Sequence, residues 1–319
     1  MQKPKIGIYW AASCGGCDVS LLEIDEQILE VAAHAEFVFW PCAIDTKYAD
    51  LRQFADGSID VLLFNGAIRT QENREMAQLL RAKSRILVAY GSCAQMGGVI
   101  GMANLSTREQ IFHDVFGERH NWPHERSYVD DHGLVLPTFL DTLTPLSAVV
   151  PVDYTIPGCP PPRSMISKFL TTLLQGTLPE RGAVFASDKN LCEECPRERK
   201  HLRINRIYRP HEIDPDPEIC LLDQGIICMG PATRGGCDAA CPQANMPCTG
   251  CAGPTAGVDD QGAAMLNTLA SLIGPEDESE SSIQAEDEIM SEIVDLMGTF
   301  YRFGLATSVF KGALRERKT

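Results

Sequence analysis

Twelve of the thirteen cysteines in this 319-residue chain fall into three sets of four by their spacing. Cys14-x2-Cys17 goes with Cys93 and Cys159, and Cys192-x2-Cys195 goes with Cys220 and Cys228. The third set is Cys237-x3-Cys241-x6-Cys248-x2-Cys251, and Cys42 is left over as an expected buried small hydrophobe. Thiolates so grouped hold zinc or iron–sulfur clusters, or else pair as disulfides. An odd cysteine count fits disulfide pairing poorly. A Cys-x2-Cys pair alone does not separate zinc from iron–sulfur, so both metals stay open on spacing.

The elements that must position these thiols are legible in the apolar runs. Residues 4–10 (PKIGIYW), 37–40 (FVFW), 59–68 (IDVLLFNGAI), 85–93 (RILVAYGSC) and 153–156 predict strands; 71–83 and 164–175 predict helices. Val19, Leu22, Ile28, Leu29 and Ala32 recur at helical spacing after Cys17, which gives strand, glycine turn, helix. The strands are continuous apolar runs, the pattern of a parallel sheet covered on both faces. The expected fold class is α/β, a flavodoxin-like parallel-sheet domain over residues 1–180, with residues 101–150 as an excursion from the sheet. Open α/β sheets bind ligands at the carboxyl edge, and Cys14, Cys17, Cys93 and Cys159 all fall on turns of that edge.

The alternation stops at residues 176–191. A loop-rich C-terminal domain over 181–256 follows, rich in Gly and Pro (MGPATRGGCDAACPQANMPCTGCAGP) and without helical or strand period. Such a segment cannot fold on apolar burial alone, so bound metal or cross-links must hold it. Residues 257–319 read as a helical tail with an acidic linker. Leu266–Ile273 is a short helix, residues 275–288 carry seven acids and no base, and 289–314 has helical apolar spacing near basic Lys311, Arg315, Arg317 and Lys318.

A net charge of −15 and a pI near 4.9 argue against nucleic acid or an anionic membrane as partner. No apolar run approaches the roughly 20 residues of a membrane span. The amino-terminal residues show neither an apolar leader nor a twin-arginine signal. The expectation is a soluble, cytoplasmic chain, in which clustered cysteines bind metal.

The motifs SCGGCDVSLLE (13–23), GSCA (91–94), PGCPP (157–161) and PCTGCAGP (247–254) closely resemble those of the small subunit of [NiFe] hydrogenases. The resemblance spans about residues 4–255. It implies an electron-relay subunit, without catalytic residues of its own, of an enzyme that oxidises hydrogen or reduces protons. Implied partners are a large subunit bearing the NiFe(CN)2CO centre and a further electron-acceptor subunit. Three [4Fe–4S] clusters are implied: a proximal one on Cys14, Cys17, Cys93 and Cys159, a medial one on Cys237, Cys241, Cys248 and Cys251, and a distal one on Cys192, Cys195, Cys220 and Cys228. The cytosolic branch is the nearest likeness, because the secreted and membrane-bound branch starts with a twin-arginine signal that these residues lack; many relatives begin the distal set with His where this chain, as in cytosolic relatives, has Cys192. Many relatives also lack a fourth medial cysteine, which Cys241 supplies. All-cysteine ligation implies low potentials suited to ferredoxin, flavin or nicotinamide acceptors.

Two other readings compete: a cluster-bearing subunit of a complex I-like quinone oxidoreductase, and a zinc-stabilised interaction scaffold. Asp18 and Glu23 beside the first pair are either ordinary helix charges or parts of a proton route. His113, His120, His124 and His132 read as surface or interface histidines in preference to a metal site. The CPRERKHLR run from Cys195 is either a solvated face or a steering patch for an acidic electron carrier.

Overall fold

The computed structural model describes residues 3–117, 135–200, 203–274 and 283–312. The chain divides into two compact units, one of Met1–Phe185 with Leu305–Thr319, the other of Ala186–Gly304.

The first unit contains strands β1 (Lys5–Trp10), β2 (Glu36–Phe39), β3 (Ile59–Asn65), β4 (Ile68–Thr70), β5 (Ser84–Tyr90), β6 (Phe139–Thr144) and β7 (Tyr154–Ile156). Its helices are α1 (Gly16–Leu22), α2 (Gln27–His34), α3 (Tyr48–Gln53), α4 (Gln71–Lys83), α5 (Ser92–Met96), α6 (Arg108–Phe116) and α7 (Arg163–Leu174). Five strands form one parallel sheet in the order β2-β1-β3-β5-β7, the flavodoxin-like order. Leu62, Leu63, Phe64, Leu87 and Val88 are at most 1% exposed, because helices cover both faces of the central strands.

The run 59–68 is not one strand. It breaks after Asn65, and β4 pairs antiparallel with β6 in a separate two-stranded sheet. Of the excursion expected over 101–150, α6 and β6 are described, and residues 118–134 lie outside the described residues. Helix α4 starts on a capping box in which Thr70 Oγ1 accepts from Asn73 N (3.2 Å) and Asn73 Oδ1 accepts from Thr70 N (3.1 Å). Its face of Met76, Ala77 and Leu80 is buried. Near its end, Arg81 Nη1 donates to Asp153 Oδ2 at 2.6 Å, and the same carboxylate oxygen accepts from Leu87 N at 2.8 Å. That buried carboxylate locks the start of β7 against β5, and so sets where the turns after both strands meet.

The second unit contains α8 (Ala240–Gln243), α9 (Gln261–Ala270), α10 (Ile283–Ser291) and α11 (Leu296–Phe300). Otherwise it is built of short 3-10 turns and isolated bridges such as Asn190 with Arg234 and Tyr208 with Ile226. Buried Leu191, Leu221, Leu222, Ile226, Met229, Met265 and Leu269 form its apolar interior. Gln261 Nε2 donates to Thr233 Oγ1 (2.9 Å) and to the Gly250 carbonyl (3.1 Å), tying α9 to two loops of the cysteine-rich region.

Over the described residues 289–312 the helical spacing is realised in pieces, and residues 313–314 lie outside the described residues. Asp295 Oδ1 accepts from Gly298 N at 2.8 Å and starts α11 as a new helix, and residues 305–307 and 309–312 are 3-10 turns. Among the described residues no helix is long and apolar enough to cross a membrane.

Candidate metal centres

The first set gathers at the carboxyl edge of the parallel sheet. β1 ends at Trp10, and the chain turns through exposed Cys14 and buried Gly15 into α1, whose first turn buries Cys17. β5 runs through Gly91 into α5, which carries Cys93, and β7 leads through Gly158 to Cys159. These last two turns are zipped together: Gly91 N donates to the Ile156 carbonyl and Ser92 N to the Gly158 carbonyl, both at 2.8 Å. A Cβ built on Gly91 would stand 2.4 Å from Cys17 Sγ, so the missing side chain is what admits that sulfur.

Burial pushes the Cys17 thiol far above its usual range, and Cys93, Cys159 and Cys14 add to the shift. Cys93 is pushed up to about 12 by burial and then by Cys159 and Cys14. Cys159 is raised by burial and by Cys14. All four sulfurs thus share one neighbourhood. Four bare thiolates there would be opposed by desolvation and by one another, and a cationic metal core removes both objections. The donor set fits a cluster held by four cysteines.

In the second unit, Cys192 and Cys228 face one small space. A Cβ on Gly230 would lie 3.3 Å from one sulfur and 3.6 Å from the other. Cys192 is pushed up to about 12 by burial, opposed by Arg199 and reinforced by Cys228, Cys220 and Cys195. Cys228 is raised by burial, while the Gly230 and Cys248 N–H groups lower it and Cys220 and Cys195 raise it. Cys192, Cys195, Cys220 and Cys228 therefore act on one another within this unit.

The third set comes together as two pairs. Burial raises Cys237, with Glu194 and Cys241 adding to it, and burial raises Cys248, with Cys228 and Cys251 adding to it. The two sets of this unit abut: Cys248 N donates to Cys228 Sγ at 3.3 Å, and Met229 N to the Cys248 carbonyl at 2.9 Å. Among the described residues no three His, Cys, Asp or Glu side chains close on one point as a single metal ion requires. No cysteine is in a disulfide.

Two residues of this unit do more than their sequence context indicates. Glu194, between Cys192 and Cys195, accepts from the N–H groups of Gly236 (2.7 Å), Cys237 (3.2 Å) and Ala239 (3.2 Å). It closes the turn around Cys237 on the loop of the other set. Arg197 is neither a solvated nor a steering residue, because it is 7% exposed and fully hydrogen-bonded. Arg199 and Lys200 of the same run are exposed. A Glu inside a Cys-x2-Cys loop and an Arg two residues beyond it were the only signals available.

Asp18 is buried at 8% exposure and accepts from Trp40 Nε1 at 2.9 Å and from Asn65 Nδ2. It braces the cysteine turn against the ends of β2 and β3. Glu23 is exposed at the end of α1, and His113 is exposed on α6. His120, His124 and His132 lie outside the described residues. Cys42 is exposed, in the turn that follows β2, contrary to the expected burial, because the chain has left the sheet there.

A family model described as NADH ubiquinone oxidoreductase, 20 Kd subunit, matches residues 14–173. A subunit of the "F420-non-reducing hydrogenase" of Methanothermobacter marburgensis is 36% identical over 318 residues, 99% of this chain and 98% of its own length. The chain belongs to the small-subunit family of [NiFe] hydrogenases. The 20 Kd description covers the sheet module alone, whereas the likeness to hydrogenase subunits runs on through the cysteine-rich second unit. A second relative, the iron-sulfur subunit of the "F420-non-reducing hydrogenase" of Archaeoglobus profundus, is 33% identical over 314 residues, 94% of this chain and 96% of its own. The H2-activated [NiFeSe]-hydrogenase of Dm. baculatum aligns over 81% of this chain and 96% of that one, with TM-score 0.50 and 19% identity, a likeness of fold. As a hydrogenase small subunit, the protein is an iron–sulfur electron-transfer component of an oxidoreductase complex.

Proposed function

We propose that this small subunit holds three [4Fe–4S] clusters and links the nickel–iron site of a large subunit to a separate redox partner. Cys14, Cys17, Cys93 and Cys159 would hold the proximal cluster. Cys237, Cys241, Cys248 and Cys251 would hold the medial one, and Cys192, Cys195, Cys220 and Cys228 the distal one. When bound, such clusters take up and give back single electrons, which lets hydrogen be oxidised or protons reduced at a site remote from the acceptor.

The observation that carries the reading is the meeting of four sulfurs from three different turns at one sheet edge. The chain's own part is to fix the sulfurs and leave room for what they bind. Gly91 leaves the space beside Cys17, and the paired β5 and β7 turns fix Cys93 against Cys159. In the second unit the Glu194 carboxylate holds the turn of Cys237, and Gln261 holds the loop between Cys248 and Cys251.

The subunit belongs, on this reading, to the cytosolic branch, with Cys192 where other members carry His and Cys241 as the fourth medial ligand. Acceptor classes are an NAD(P) diaphorase, ferredoxin or a heterodisulfide reductase. The relatives' description, "F420-non-reducing", supports an acceptor other than F420. The test is anaerobic purification of the intact complex, identification of its subunits by mass spectrometry, and assay of hydrogen-dependent reduction of each acceptor. Absence of a hydrogenase large subunit from the purified complex would refute the proposal.

A further inference from the structure

Arg197 carries a charge that none of its hydrogen-bond partners balances. Its guanidinium places all five N–H donors on neutral oxygens. Nε and Nη2 donate to the Pro242 carbonyl (3.1 and 3.0 Å), Nη1 to the carbonyls of Asp216 and Ile219 (2.8 Å each), and Nη2 also to Asn245 Oδ1. No carboxylate is among these partners. The carboxylates of Asp216 and Glu194 face other donors: Asp216 Oδ1 accepts from Glu218 N at 2.9 Å, and Glu194 accepts from the Gly236, Cys237 and Ala239 N–H groups. A guanidinium cannot shed its charge by deprotonation, and burying one without a counter-charge is strongly unfavourable.

Its location says what the counter-charge is. Arg197 follows Cys195 by two residues, Ile219 precedes Cys220, Pro242 follows Cys241, and Asn245 lies three residues before Cys248. Segments of both cysteine sets in the second unit therefore converge on one buried cation.

We propose that Arg197 is the internal counter-charge of these two sets, and that it raises the potential at which the groups they hold accept an electron. Each electron taken up adds one negative charge, and a fixed cation in a water-poor interior favours the reduced form. Arg197 is thus a positioning residue whose fork fixes the loops while its charge sets the equilibrium. The inference rests on the reading that both sets hold iron–sulfur clusters.

The test is a redox titration followed by EPR on the purified complex, with Arg197→Gln and Arg197→Lys beside the wild type, and iron content measured on each. Arg197→Gln is expected to shift the reduction equilibrium of at least one second-unit cluster about tenfold toward the oxidised form. That is about 59 mV for a one-electron couple. The proximal cluster stays in place, and Arg197→Lys keeps the wild-type potentials. Unchanged potentials in Arg197→Gln, or the same shift in both variants, would overturn the proposal. If Arg197→Gln loses iron from the second unit, retention of that iron by Arg197→Lys supports the charge, and its loss in both overturns it. Wild-type protein without iron in the second unit would instead refute the cluster reading itself, and this inference with it.

Discussion

Gly91→Ala perturbs the first cysteine set at one atom. Gly91 has φ +87°, so an alanine there meets backbone strain as well as a neighbour. A residue held in such a conformation costs of order 1–3 kcal/mol, and overpacking a filled site costs about 1–3 kcal/mol more. The added Cβ would stand 2.4 Å from Cys17 Sγ, whereas ordinary contact begins at 3.4 Å, so the sulfur must retreat by about 1 Å. Metal ligands tolerate displacements of about 0.2 Å. The variant is therefore expected to lose the first-unit cluster, about four of twelve irons per chain, along with hydrogen-dependent dye reduction. Gly176→Ala is the control, because Gly176 also has a positive φ (+68°) but nothing lies within 4 Å of its Cβ position. It should lose about 1 kcal/mol of stability and no iron. Iron and acid-labile sulfide per chain, measured on both variants, decide the matter. Full iron content in Gly91→Ala, or equal iron loss in the two variants, would refute the reasoning.

Cys17→Ser should abolish hydrogen-dependent reduction of any dye, while Cys195→Ser should mainly impair the natural acceptor; equal losses in both assays would contradict the order of the relay. Asp153→Asn breaks a buried carboxylate's pairing with Arg81 and Arg181, which lie 2.6 and 2.8 Å away, and should cost about 3 kcal/mol, roughly 6–12 °C of melting temperature. An unchanged melting curve would show that this bracket does not hold β7 to β5. Chelation of iron should expose residues 186–304 to protease before the sheet domain, because that unit is loops on a small apolar interior while the sheet carries its own packed core. Mass spectrometry of the fragments reads this directly, and first cuts within the parallel sheet would contradict it.

The sheet was legible because burial on both faces leaves an unmistakable record. A strand such as IDVLLFN has almost no polar position, and its neighbours in sequence are turn residues. The same logic placed Cys14, Cys17, Cys93 and Cys159 on one edge, since consecutive strand-to-helix turns of a parallel sheet must emerge on the same side. What stayed hidden depended on partners far away in sequence. Glu194 finds its N–H donors more than forty residues on, and Arg197 finds its acceptors on separate, distant loops. Neither carries a period, and each reads locally as an ordinary surface charge. The break after Asn65 was hidden for a related reason. The 59–68 run is apolar almost throughout, but its last residues leave the sheet for a pairing with β6 that only the fold creates. In 289–314 the helical spacing was real, yet the Asp295 cap and Gly298 start a new helix inside it.

Quantitative iron, zinc and acid-labile sulfide analysis, joined to EPR of the fully reduced complex, bears most directly on the claim that twelve cysteines hold three clusters. The account predicts about twelve irons and twelve sulfides per small subunit beyond those of the other subunits, no stoichiometric zinc in the small subunit, and no three-iron signal from it on oxidation. Zinc at one or more per chain, or a three-iron medial signal despite Cys241, would contradict it.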